Sequence, residues 1–259
     1  MEDEAFITHV GDRLAALPHV RAVTLGGSRA EGVHRPDSDW DFSLYYRGPF
    51  DPQSLRDAGW PGTVSELGGW AGVADTVFNG GAWLEVDGRR TDVHFRDLDV
   101  VDRVLAEAEA GRFRTEPLWF HLAPVPSYLV LAELAVRRVL AGDLPEVTYP
   151  AALRERAPEA WWQQAEAELD YARGYPAAQG RVTQCLGLLA RAATCTAHAV
   201  LAARGRWITN EKRLLARADL AGVDRLLAAA TPEPAALLKL VDQVHDACRS
   251  ALDAAHSEG

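Results

Sequence analysis

The sequence predicts an α+β chain: a β-sheet with covering helices in the N-terminal part, followed by an α-helical bundle. Three observations carry this. Short β-rich segments with period-two alternation, Val20–Leu25, Trp40–Tyr46 and the pair Ala82–Val86 and Arg90–Phe95, all lie before residue 100. Between the last two stands Asp87-Gly88, and a two-residue Asp-Gly connection flanked by alternating runs is a strong hairpin signal. Beyond residue 150 nothing reads as strand, and Leu, Ala and Val recur at helical spacing. A chain of 259 residues is long enough for two domains, placed here at 1–145 and 146–259.

The elements follow in order. Phe6, Ile7, Val10, Leu14 and Leu17 fall on one side of a helix over Glu4–Leu17, which Pro18 closes. The strand Val20–Leu25 runs straight into Gly26-Gly27-Ser28-Arg29. Alternation in the next strand gives Asp39, Asp41, Ser43 and Tyr45 one face and Trp40, Phe42, Leu44 and Tyr46 the other. Asp51 caps a short helix through Asp57, ended by Gly59-Trp60-Pro61-Gly62, and Thr63–Leu67 reads as a further strand. Gly68, Gly69, Gly72, Gly80 and Gly81 punctuate a stretch with Trp70, Asp75 and Asn79, read as loops around a site entrance. In the second hairpin strand Asp92, His94 and Arg96 face opposite to Thr91, Val93 and Phe95. Asp97–Ala110 is an amphipathic helix followed by Gly111, and Tyr128–Leu140 another, ending at Ala141-Gly142. Past Pro145–Pro150, helices are expected over Pro158–Ala172, Arg181–Arg204, Glu211–Ala218 and Pro232–Ala255.

Composition narrows the function. Net charge is −10 and the sequence pI ≈ 5.3, whereas a protein gripping polyanionic nucleic acid shows a basic face. A small, cationic substrate fits better. Met1-Glu2-Asp3-Glu4-Ala5 is acidic and no run of about eighteen apolar residues appears, so neither a signal peptide nor a membrane span is expected and the location read is cytoplasmic. Cys185, Cys195 and Cys248 show no Cys-x-x-Cys spacing and read as reduced core residues.

The chemistry-bearing stretch is Gly26–Arg29 followed by Asp39-Trp40-Asp41. Sending the apolar set inward places Asp39 and Asp41 side by side, where like charges repel unless a cation lies between them. Magnesium is the natural choice for hard oxygen ligands. The glycines let backbone approach a phosphate closely. Asp92 supplies a third carboxylate on a neighbouring strand.

Gly-Ser followed at this distance by Asp-x-Asp, with a third aspartate on the next strand, resembles the nucleotidyltransferase motif of the DNA polymerase β superfamily, and more closely the antibiotic nucleotidyltransferases. The resemblance covers roughly the first hundred residues. It implies a mixed sheet of nucleotidyltransferase type and magnesium-dependent transfer of a nucleoside monophosphate, AMP from ATP, to a hydroxyl of a small molecule such as an aminoglycoside-like antibiotic. Two magnesium ions are expected between Asp39 and Asp41, with Asp92 completing the ligand set. Gly26, Gly27, Ser28 and Arg29 are the expected phosphate contacts. In similar enzymes a helical second domain offers a lysine to the triphosphate after a small turn, and Lys212, one of only two lysines, stands in the basic turn Arg204–Arg213. Asp92, Glu166 and Glu168 are the candidates for the general base, and Trp161, Trp162, Tyr171 and Trp207 for apolar walls around the acceptor. The alternative is an antitoxin or sensor of the same fold that adenylylates or binds a protein partner. Arg191 and His198, seven apart on one helix, resemble the ribonuclease motif of small helical toxins, but Ala192 stands where that motif carries a polar residue.

Overall fold

The computed structural model describes residues 2–258 apart from 31, 33, 36, 37 and 69–75. Trp70 and Asp75, expected at a site entrance, lie outside the described residues. The chain divides into two compact units, Met1–Ala106 with Ser127–Thr148, and Glu107–Pro126 with Tyr149–Gly259.

The first unit opens with α1 (Asp3–Ala15), whose Phe6, Ile7, Val10 and Leu14 are buried as the spacing requires. It stops two residues short of the predicted end, and Leu17 packs on the core from outside it. Next come β1 (Val20–Leu25), the short α2 (Gly27–Ala30) and β2 (Trp40–Tyr46). Then α3 (Gln53–Arg56) begins after Pro52, which takes the N-cap position expected for Asp51; Asp51, one residue earlier, still accepts the Gln53 N–H on Oδ1 at 2.9 Å. It is followed by β3 (Gly62–Val64), β4 (Gly81–Val86) and β5 (Arg89–Asp97). Asp87 and Gly88 both have positive φ, at 50° and 72°, which is the primed turn that an Asp-Gly hairpin adopts. The helix α4 (Leu98–Glu109) starts where Asp97 Oδ1 accepts the Asp99 N–H at 2.8 Å.

After the short ladder β6 (Thr115–Glu116) with β7 (Val125–Pro126), the expected helix over Tyr128–Leu140 splits in two. Only α5 (Leu129–Ala135) is helical, and β8 (Arg138–Ala141) pairs antiparallel with β1. The Arg137 side chain explains the break. Its guanidinium donates to the Leu134 carbonyl at the helix end and to the carbonyls of Leu144 and Pro145, at 3.1 and 2.8 Å, folding the chain back. The open edge of β1 then takes Arg138–Ala141 as its antiparallel partner.

The sheet order is β3-β4-β5-β2-β1-β8. Strands β2 and β5 are parallel and the remaining pairs antiparallel, so the sheet is mixed. One face buries Trp40, Phe42 and Leu44 of β2, Val93 and Phe95 of β5 and Leu84 of β4 against α1. Each such side chain contributes about 1.5–3 kcal/mol through burial. The opposite face is polar yet also buried: Ser43 and Tyr45 are shielded, and Arg96, 1% exposed, makes a two-pronged ion pair with Glu133 of α5 at 2.7 and 2.8 Å. Burial alone would raise the Glu133 carboxyl, but the facing Arg96 guanidinium outweighs it and holds the group below its ordinary value. Burial, with Arg96 adding to it, pushes His94 down to about 4, so it is neutral near pH 7.

The second unit is helical. It contains α6 (Ala151–Gly174), α7 (Val182–Ala203), α8 (Leu214–Arg217), α9 (Gly222–Ala228) and α10 (Pro234–Ser257). The sequence places the start of α6 at Pro158, but seven further residues precede it and Pro158 lies buried inside the helix, its propensity overridden by packing. Helix α7 is long and apolar enough to cross a membrane, yet most of it is buried within its own unit. The three cysteines are free and buried, as their spacing predicts.

Candidate active site

Strands β2 and β5 bring the two distant carboxylates together. Asp41 and Asp92 are Cα partners in the parallel register, so both leave the same face of the sheet at the same level. Asp39 precedes β2, and it lines with Asp92 a surface cavity of about 470 Å³, whose other walls include Arg90, Glu85, Trp83 and Pro61. Asp41 and Asp92 therefore leave one face of the sheet from neighbouring parallel strands, and Asp39 shares the cavity with Asp92.

The glycine turn is fitted to Asp41. The Gly26 N–H donates to the Asp41 carbonyl at 2.8 Å. Gly27 has φ +60°, and a Cβ there would lie 2.7 Å from Asp41 Cγ and closer still to Oδ2. Only glycine satisfies both demands, which ties the turn to the carboxylate in one rigid piece. Ser28 follows in α2, partly exposed.

Arg29, expected on a phosphate, turns instead towards the protein. Its guanidinium donates to the carbonyls of Ser38 and Asp39 at 2.9 and 3.3 Å and lies 3.7 Å from the centroid of the Trp40 ring. Arg89 also packs over that ring, at 5.2 Å, and pairs with Asp3 at 2.8 Å. Arg29 and Arg89 thus both pack on the Trp40 indole, while Arg29 also holds the Ser38–Asp39 backbone that leads into β2.

Arg90 Nε stands 2.8 Å from Asp39 Oδ1, an ion-pair distance outside hydrogen-bond geometry, and that oxygen is buried without a hydrogen-bond partner. Among the described residues, no three His, Cys, Asp or Glu side chains are arranged to hold a metal ion. The chemistry of the expected donors fits a hard divalent cation: all three candidates are carboxylates, and Asp39 already attracts positive charge. Sequence reasoning missed Arg90, Trp83 and Glu85. The hairpin arithmetic could have found them, because a two-residue turn at Asp87-Gly88 sets Glu85 opposite Arg90 and Trp83 opposite Asp92.

The other expected residues lie in the helical unit. Lys212 is exposed in the turn before α8, its N–H bonded to Asn210 Oδ1 at 3.0 Å. Next to it Glu211 accepts the N–H groups of Leu122 and Ala123, each at 3.1 Å. Glu166 is exposed. Glu168 pairs with Arg191 at 2.8 Å, and burial raises its carboxyl above the ordinary value despite that partner. Trp161 and Trp162, expected as cleft walls, belong to the bundle core at 1% and 3% exposure. Trp161 stacks on His198 at 4.5 Å, and burial pushes His198 down to about 3. A neutral, enclosed imidazole does not suit the ribonuclease role that its spacing from Arg191 resembles.

Residues 9–97, from α1 to the last residue of β5, match the family model described as the nucleotidyltransferase domain. The N-terminal unit carries a nucleotidyltransferase domain. Its matched span includes Gly26–Arg29, Asp39, Asp41 and Asp92 and stops before Glu166, Glu168 and Lys212. Among solved structures, the chain is similar to a nucleotidyltransferase-like protein from Exiguobacterium sibiricum 255-15, with TM-score 0.46 and 10% identity over 98% of this chain and 78% of that one. It is also similar to the spectinomycin adenyltransferase AAD(9) from Enterococcus faecialis, solved with ATP and spectinomycin, with TM-score 0.34 and 12% identity over 97% and 90% of the two chains. No curated protein matches the sequence.

Proposed function

We propose that the nucleotidyltransferase domain transfers AMP from ATP to a hydroxyl group of a small molecule, with aminoglycoside-like antibiotics as the first acceptors to try. The observation that supports this most is the pairing of Asp41 with Asp92 beside a glycine turn moulded to the Asp41 carboxylate. Asp39, Asp41 and Asp92 would hold two magnesium ions. When bound, these ions neutralise phosphate charge and polarise the α-phosphoryl group. Gly26 and Gly27 offer backbone amides, and Ser28 a hydroxyl, to the β- and γ-phosphates, while Lys212 adds positive charge to the triphosphate. Arg29 keeps Asp39 in place by holding the Ser38–Asp39 backbone. Of the candidate bases, Asp92 is already beside Asp41 in the same unit and can take the acceptor hydroxyl proton. The net charge of −10 suits a cationic acceptor.

The test is incubation with labelled ATP and magnesium against a panel of aminoglycosides, lincosamides and spectinomycin, with cell extract as a further arm. A mass gain of one nucleotide on the acceptor and release of pyrophosphate are expected. Asp41→Asn keeps the side-chain shape and removes its charge, so turnover should drop by about two to four orders of magnitude, or roughly 3–5 kcal/mol, with the fold intact. An active Asp41→Asn protein would refute the mechanism, and a protein-sized product in the extract arm would move the acceptor to a protein partner.

A further inference from the structure

Arg90 is placed to do more than decorate the cavity. Its Nε sits 2.8 Å from the buried Oδ1 of Asp39, where the proposed function puts a divalent cation. The contact is movable, because the Arg90 side chain is 71% exposed and Asp39 41% exposed. A second carboxylate stands within the same cavity: Glu85 is the Cα partner of Arg90 in the β4–β5 register, so both side chains leave the same face of the sheet. A guanidinium and a divalent cation that both approach Asp39 Oδ1 repel one another, so each weakens the other's hold on that oxygen.

We propose that Arg90 is a built-in counter-ion for Asp39, which a divalent cation displaces, and that Glu85 is the position to which the guanidinium moves. The inference rests on the reading of Asp39, Asp41 and Asp92 as cation ligands. Without the metal, Arg90 relieves the repulsion among these carboxylates. When the cation arrives, the arginine is not released to solvent but crosses the hairpin to Glu85. Arg90 thus keeps a carboxylate partner in both states, and the affinity of the pocket for the metal is set by a competition inside the protein.

The experiment is titration of the full chain with Mn²⁺ alone, free ion being counted by its paramagnetic resonance at low ionic strength. The proteins are wild type, Arg90→Gln, Arg90→Lys, Glu85→Gln, Asp39→Asn and the double variant Arg90→Gln/Glu85→Gln, each first checked for an unchanged melting curve. Removing an exposed ion pair corresponds to about a twofold to fivefold change in affinity. Arg90→Gln should tighten Mn²⁺ binding by that factor, Arg90→Lys by less, and 0.5 M salt should shrink the difference. Glu85→Gln should weaken binding more when Arg90 is present than in the double variant. If Asp39→Asn abolishes binding while Arg90→Gln binds no tighter than wild type, the counter-ion role is refuted and the ligand reading stands. Equal Glu85→Gln effects in both backgrounds refute the receiving position. Binding that ignores Asp39 in every variant overturns both this inference and the ligand reading.

Discussion

Gly27→Ala tests how tightly the glycine turn and the carboxylate are bound to one another. The substitution acts in two ways that can be separated. The first is conformational: at φ +60° an alanine is strained by about 1–2 kcal/mol. The second is steric. The new methyl would stand 2.7 Å from Asp41 Cγ and closer still to Oδ2, where ordinary contact begins at 3.4 Å, so the carboxylate must retreat by at least about 0.7 Å. A misplacement approaching 1 Å costs up to about a hundredfold in rate. Two neighbours serve as controls. Gly32 has φ +70° and open space around it, so Gly32→Ala carries the strain without the clash. Gly26 has no left-handed φ, and a Cβ there meets only the Asp41 carbonyl at 3.8 Å, so Gly26→Ala should be mild. Urea denaturation should place Gly27→Ala and Gly32→Ala at least 1 kcal/mol below wild type. Pyrophosphate release and Mn²⁺ affinity should fall about tenfold to a hundredfold in Gly27→Ala alone. If Gly27→Ala retains activity and metal affinity like Gly26→Ala, the turn does not position Asp41 and the argument fails.

Three further outcomes are expected. Glu133→Gln leaves the Arg96 guanidinium buried without its counter-charge and should cost about 3–5 kcal/mol in urea denaturation at pH 7. Because the Glu133 carboxyl is held below its ordinary 4.5, the stability it contributes is present above that value and lost as pH falls through the lower folded one, so wild type and variant should converge in acid. His198 is held near 3 against an ordinary 6.5, so the unfolded chain takes up its proton first and stability declines as pH falls from 6.5 towards 3. At pH 5 the loss is about 2 kcal/mol, and His198→Phe, which keeps the stack on Trp161, should remove that slope in a pH series of melting curves. Lys212→Ala should raise the KM for ATP about tenfold with a smaller change in kcat, and equal KM values would remove Lys212 from the site.

Alternation and turn chemistry made the catalytic half of the fold readable. The predicted strand Val20–Leu25 is β1 to the residue, and the Asp-Gly turn fixed the β4–β5 hairpin. Parity also placed Asp92 on the polar face and Phe95 in the core. What no pattern gave was pairing: that β2 and β5 run parallel and level Asp41 with Asp92 depends on contacts distant in sequence. Residues 128–141 misled because Leu129, Leu131 and Leu134 suit a helix that would run on, and the interruption depends on where the Arg137 guanidinium finds carbonyls. The motif points Arg29 at a phosphate because charge is visible in sequence, while the Trp40 ring and backbone carbonyls that engage it are not. Pro158 marked a helix start by propensity, and the bundle overrode it.

The excursion of Glu107–Pro126 into the helical unit has a consequence for synthesis. Strand β1 ends at Leu25 and its outer partner β8 begins at Arg138, so 112 residues must be made between them. At roughly 5–20 residues per second, the nascent chain waits about 6–22 s before that edge can close. In the meantime the backbone donors and acceptors of Val23 and Leu25 face outward, a template on which another emerging chain can add a strand. A fragment truncated before Arg138 would remain in that state permanently, and one ending at Thr148 would complete the sheet yet carry residues 107–126 without the helices they pack on.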